Sequence, residues 1–246
     1  MPFDLTLGGA IWMAVAVLIA ALVRGYSGFG YSALVIAASS LVMNPLHMVA
    51  VVVILETAMS LQAWRGVGRD VDWRRVGFLL AGAAVGLPLG LWALTGISED
   101  AARAIISAYV LVMCLVLLAG WQLRGEWRGG SNFAAGIVSG LANAPGMGGL
   151  PIAAFFAAQA IPANVFRATL IAYFPLLDIY SAPLYWYHGL VSWDTIWASL
   201  IALPLTFLGN WLGGRHFFAS DPQEFRRFAI VLLAVLATLG LLKAAF

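Results

Sequence analysis

Long stretches of this sequence carry no Asp, Glu, Lys or Arg, and that property decides most of what the chain can fold into. Leu5–Val23, Gly25–Leu55, Val76–Thr95, Ala104–Leu123, Asn132–Phe166 and Thr195–Gly213 are all uncharged. A helix rises ~1.5 Å per residue, so ~20 apolar residues cross a ~30 Å hydrocarbon layer. Leu5–Val23, Val76–Thr95 and Ala104–Leu123 each fit that requirement as one continuous helix. Of the 246 residues, 63% are hydrophobic and 10% charged. Soluble domains run at about 45–50% apolar and roughly 25% charged. So few charges cannot cover such a core in water, and the bilayer must be the solvent. The expected fold is an all-α polytopic membrane protein.

Two of the uncharged stretches are interrupted. Gly25–Leu55 contains Gly25, Gly28, Gly30 and Pro45, which predicts a glycine loop, a short helix near Tyr31–Met43 and a longer one near Leu46–Trp64. Asn132–Phe166 contains Pro145, Gly146, Gly148, Gly149, Pro151 and Pro162. It predicts short helices near Asn132–Ala142 and Pro151–Ala160, then a long one near Ala163–Tyr187. Spans at Thr195–Gly213 and Phe228–Leu242 follow. The short segments either cross singly, giving five crossings per half, or pair into re-entrant hairpins with three full crossings per half. The total is about eight to ten membrane segments.

The second half repeats the first. Gly28-Phe29-Gly30 matches Gly146-Met147-Gly148 at an offset of 118, and Pro45 matches Pro162 at 117. Trp73 matches Trp193, and Gly86-x-x-x-Gly90 matches Gly209-x-x-x-Gly213 at 123. Such a drift is what differing loop lengths produce. The division is a first membrane repeat over 1–123, a cytoplasmic linker over 124–131 and a second repeat over 132–246.

Arginine placement gives the topology, because basic loops stay cytoplasmic. Arg65, Arg69, Arg74 and Arg75 place 65–75 inside, whereas its counterpart 188–194 has no basic residue and belongs outside. Gly96–Arg103, with one arginine, belongs outside. Arg124 and Arg128 return the linker inside, and Arg215, Arg226 and Arg227 place 214–227 inside; Lys243 then falls outside. Equivalent loops carry opposite bias, as inverted repeats require. The acidic start, Met1–Asp4, lacks the basic region of a signal peptide, so the first apolar run is expected to remain as a helix.

The glycine breaks are the first candidate site. Irregular backbone in a bilayer leaves amides unpartnered unless protein or a wet cavity satisfies them. Short helices after each break would aim partly positive N-termini at such a cavity. Two breaks meeting near the midplane would form an anion site of the broken-helix kind. The candidate substrate-binding residues are Arg24, Ser27, Gly28, Gly30, Ser32, Asn143, Gly146, Gly148, Gly149 and Arg167. The alternative is close helix packing through small residues, which is the favoured role for Gly86/Gly90 and Gly209/Gly213.

Charges within apolar runs need a partner or water, since insertion alone costs ~2.5–3.5 kcal/mol at the bilayer centre. Arg24 and Arg167 either neutralise an anion, snorkel to an interface, or pair with Glu56 or Asp178. Glu56 and Asp178 are candidates for proton coupling, because a carboxyl group taken out of water holds its proton more readily; ion pairing is the plainer role. Cys114 is alone, so no disulfide or cysteine metal site is expected. No metal or cofactor and no nucleic-acid partner are expected. There is no Walker loop or His-Glu-x-x-His motif, and Gly25-x-x-Gly28-x-Gly30 lacks dinucleotide spacing.

At these residues the chain resembles the TauE/SafE (sulfite exporter, TSUP) family. Arg24-Gly-Tyr-Ser-Gly-Phe-Gly-Tyr-Ser32 with Asn44-Pro45 is similar to the family's first motif. Gly140-x5-Gly146-x-Gly148-Gly149-x-Pro151, Pro162 and Phe166-Arg167-Ala168-Thr169 are similar to its second. Tyr31 and Ser32 stand where many members have glycines, and Leu150-Pro151 where many have Pro-Pro. The resemblance implies a secondary transporter moving sulfite, sulfonates or related sulfur anions across a bacterial inner membrane, usually outward. Its partners would be a small anion, the lipid bilayer, and protons or another coupling ion. The rivals are an anion channel, an uptake permease for a carboxylate, and a non-transporting membrane enzyme or subunit.

Overall fold

The computed structural model describes residues 2–63, 69–119, 129–159 and 161–216, with Val231, Ala234, Val235 and Thr238. Among them nine α-helices follow one another without a strand: α1 (Leu7–Ser27), α2 (Tyr31–Ser39), α3 (His47–Ala63), α4 (Trp73–Thr95), α5 (Glu99–Ala119), α6 (Gly129–Asn143), α7 (Gly149–Ala157), α8 (Ala163–Tyr187) and α9 (Trp193–His216). Five of these, α1, α4, α5, α8 and α9, are long and apolar enough to cross a membrane. The chain is a polytopic helical membrane protein. Gly129–Ser131, expected in the linker, are already helical. Arg65, Arg124, Arg128, Arg226, Arg227, Lys243, linker residues 124–128 and most of the expected span Phe228–Leu242 lie outside the described residues.

Helix ends follow local chemistry. The Thr6 hydroxyl accepts from Gly9 N at 3.1 Å, and the Asp72 carboxylate accepts from Arg75 N at 3.0 Å, each satisfying an orphan amide of a first turn. At the end of α2, the Ser39 and Ser40 hydroxyls donate to the carbonyls of Ile36 and Ala37. This stops the helix at Ser39, short of the expected Met43.

Nine residues span only ~14 Å, so neither α2 nor α7 crosses the layer alone as a helix. Instead α2 folds back along α1. Trp12 Nε1 donates to Ala38 O at 3.0 Å, Gly9 faces Val42, and Phe3 stacks on His47 with ring centroids 5.0 Å apart. The hairpin therefore ends where it began. α6 and α7 pack as the corresponding pair. The short helices thus pair with the helix before them.

The halves are interlocked through glycine. α4 lies along α6, with Gly82 on the backbone of Phe133 and Ile137, Gly86 on Ile137 and Leu141, and Gly90 on Leu141 and Ala144. α9 lies along α1 in the same way, with Gly209 on Leu18 and Ala21, and Gly213 on Leu22 and Tyr26. Backbone replaces side chain at these contacts, the means by which helices approach closely where lipid gives no hydrophobic drive. The four-residue glycine pairs are packing devices.

Exchanging the halves reproduces the main helix contacts. It turns α4 on α6 into α9 on α1, α3 on α9 into α8 on α4, and α1 on α2 into α6 on α7. α4 and α9 even start at the matched residues Trp73 and Trp193. The equivalent helices α3 and α8 pack against each other and run antiparallel. Ala50 and Val53 share a cavity wall with Tyr185 and Trp186, while Thr57 further along α3 meets Asp178 further back on α8. Antiparallel equivalents place the relating axis across the helices, the geometry of an inverted repeat.

Candidate functional site

The first break is shorter than its glycines suggest. α1 continues through Gly25 and Ser27, and only Gly28, Phe29 and Gly30 are non-helical. Gly25 stays helical because it is the contact point with α9, its α-carbon seated on the backbone of Asn210. Gly28 and Gly30 have φ of 83° and 93°, the left-handed region that only glycine adopts freely. Arg24 is therefore a helical residue of the last turn of α1, and its carbonyl accepts from Gly28 N at 2.7 Å. Ser27 ends that helix; its side chain lies outside the described atoms.

Arg24 is committed to α3. Its Nη1 donates to Glu56 Oε1 at 2.8 Å and its Nη2 to Ser60 Oγ at 2.6 Å, with both charged side chains buried. Ser32, in the first turn of α2, gives Glu56 a further backbone and side-chain hydrogen bond. The N-terminus of α2, expected to meet an anionic substrate, is thus filled by the protein's own carboxylate. Of the alternatives for Arg24, the ion pair with Glu56 is the one formed.

The second break is built differently. Gly146 has φ 76° and faces Val49 and Val52 of α3. Hydroxyls from three helices hold its carbonyls. Ser139 donates to Gly148 O at 2.7 Å, Tyr109 to Met147 O at 3.4 Å, and Tyr185 to Asn143 O. Ser139 also shares a 2.8 Å hydrogen bond with Tyr173. The equivalents of Ser32 and Glu56 here are Leu150 and a position near Tyr173, so among the described residues no carboxylate takes the place that Glu56 has at α2. Beside Gly148 stands Asn143, 4% exposed, whose Nδ2 has no hydrogen-bond partner among the described residues. A buried amide left without an acceptor costs about 1–3 kcal/mol.

One face of α8 connects the two breaks. Arg167, Phe174, Asp178, Ser181 and Tyr185 follow at spacings of seven, four, three and four, which keeps them on one line of a helix. Arg167 is half-buried, and its Cγ lies 3.7 Å from where a Cβ on Gly28 would be. Phe174 has Arg24 over its ring at 5.6 Å and its edge near Gly149. Asp178 accepts from Thr57 Oγ1 at 3.0 Å. Tyr185 reaches Asn143. Arg24 of the first break and Gly149 of the second thus reach the same residue of α8, Phe174. Glu56 and Asp178 complete a cluster around Arg24 and Phe174.

Phe174, Tyr185, Ser139 and Ser60 were not singled out in the sequence. The line of polar and aromatic residues on α8 is the signal that could have found the first two.

The sequence profile described as sulfite exporter TauE/SafE matches residues 13–239 of the chain. The chain belongs to the TauE/SafE family. This TauE/SafE protein is therefore a member of a membrane transporter family, and the match spans both hairpins and both α4–α6 and α9–α1 contacts. Comparison with curated proteins and with solved structures finds no match.

Proposed function

We propose that this chain is a secondary transporter of a small anion, a sulfur oxyanion or organosulfonate, working as an exporter in the plasma membrane by alternating access. The observation that carries the proposal is the buried Asn143 Nδ2, without a hydrogen-bond partner among the described residues, in the chain segment that leads to the glycine-rich start of α7. A sulfite or sulfonate head offers only acceptor oxygens and negative charge. It fits amide donors and the partial positive charge of a helix start. The matching position at α2 already holds Glu56, so one anion subsite per chain is expected, lined by Asn143, Gly146, Gly148 and Gly149. Arg167, beside Gly28 at the other end of the α8 line, attracts the anion from the opposite face. Phe174 separates the two ends, and alternating access requires the packing around it to change.

The test is a thermal-shift screen of purified protein against sulfite, thiosulfate, sulfoacetate, taurine and short carboxylates. A ligand that binds only the folded state raises the midpoint, by about 2.7 kcal/mol of stability at a hundredfold excess over Kd. Sulfite or a sulfonate should raise it. A response to carboxylates alone would remove the sulfur assignment, and no response to any anion would remove the site.

A further inference from the structure

The buried charges between the two breaks do not balance. Arg24 from α1 is one positive charge; Glu56 from α3 and Asp178 from α8 are two negative ones, 4%, 8% and 3% exposed. Arg24 pairs with Glu56. Among the described residues the Asp178 carboxylate receives one hydrogen bond, from the neutral Thr57 hydroxyl, and no ion pair. α2 brings Tyr31 and α8 brings Tyr173 and Tyr185 to this region, all neutral hydroxyls. Neither α4 nor α6, also near α8, has a charged residue beyond Arg74 and Arg75 at the first turn of α4, and Arg75 is bound to Asp72 and Gln159. A second bare carboxylate is strongly disfavoured in this low-dielectric interior.

We propose that Asp178 carries one exchangeable proton, and that this proton moves with the anion in each transport cycle. The inference rests on the transport reading above. Asp178 and Tyr185 lie two turns apart on the same face of α8, and Tyr185 holds the carbonyl of Asn143. An anion seated beside Asn143 adds negative charge near Asp178 and favours its protonated form, since like charges disfavour ionisation. Anion and proton therefore bind together and leave together. Thr57 serves either state, because its hydroxyl donates to the carboxylate and accepts from the acid.

The experiment compares wild type and Asp178→Asn in proteoliposomes, with empty liposomes subtracted. Two quantities are read: sulfite counterflow at equal pH on both sides, and net sulfite accumulation under an imposed pH gradient. Wild type should show both, with accumulation changing roughly tenfold per pH unit for one proton per anion. Asp178→Asn should keep counterflow and lose the gradient-driven accumulation. Wild-type counterflow with no response to the gradient overturns the inference and leaves the transport reading intact. Absence of wild-type counterflow defeats both. If Asp178→Asn does not fold, the wild-type gradient response still decides coupling. An infrared band from a protonated carboxyl group that moves in the folded variant Thr57→Val, where the hydrogen-bond partner of Asp178 is gone, then assigns the proton to Asp178, and a band that stays in place overturns the assignment. A gradient response in Asp178→Asn equal to wild type overturns the assignment.

Discussion

Arg24 Nη1 stands 2.8 Å from Glu56 Oε1, and this ion pair fills the helix start that the first glycine break creates. Because both groups are buried, the pair is consequential mainly when one partner is lost. Glu56→Ala should destabilise the folded protein by about 3–5 kcal/mol, since it leaves the Arg24 charge uncompensated. Arg24→Met should do the same to Glu56. The double variant Arg24→Met/Glu56→Ala should be less destabilised than the two losses added together. Unfolding in detergent micelles measures all three, and additive losses would show that the pair does not act as a unit.

Gly86 and Gly213 should tolerate no larger residue. A Cβ at either would overlap backbone of the facing helix, Ile137 of α6 or Leu22 of α1. Gly86→Leu and Gly213→Leu should each cost at least about 1–3 kcal/mol, with little monodisperse protein recovered. Gly77→Leu, where no atom lies within 4 Å, is the control on the same helix and should behave as wild type. Size-exclusion profiles after extraction distinguish these outcomes.

Gly28 is held at φ 83° with the stem of Arg167 close by. Gly28→Ala should cost about 1–2 kcal/mol through its backbone conformation, and Gly28→Asn less, because asparagine visits this region more readily. Equal stability for both variants and wild type would mean that the break can rearrange.

Asn143 should act on binding more than on stability. Asn143→Ala removes a donor to a charged ligand, a change worth about 1.5–3 kcal/mol, so sulfite affinity should fall roughly ten- to a hundredfold. Asn143→Asp, which places a carboxylate at the same point, should abolish binding. Tyr185→Phe removes only the hydroxyl that holds the Asn143 carbonyl, and should weaken binding less. Calorimetric titration with sulfite ranks the three.

Much of this architecture was legible in the sequence. Uncharged length located the spans, and α8 runs over Ala163–Tyr187 as the spacing predicts. The matched Trp73 and Trp193 proved to be matched helix starts, because duplicated helices keep their first turns. Gly25 misled, since a glycine that serves a neighbouring helix looks the same in sequence as one that breaks its own. The Arg24–Glu56 pair was one of several open pairings; partners 32 residues apart are settled only when α1, α2 and α3 pack. That Glu56 meets the N-terminus of α2 was not legible for the same reason: Ser32 and Glu56 belong to different helices. That both breaks reach Phe174 depends on how the hairpins sit along α8, a tertiary property.

The central claim is that this chain carries a small sulfur anion through a saturable site at the second break. Counterflow of radiolabelled sulfite into proteoliposomes preloaded with sulfite tests it most directly. Wild type should show saturable uptake well above empty liposomes, and Asn143→Asp should fall to the empty-liposome rate while remaining folded. Uptake that does not saturate, or that Asn143→Asp leaves unchanged, would contradict the account.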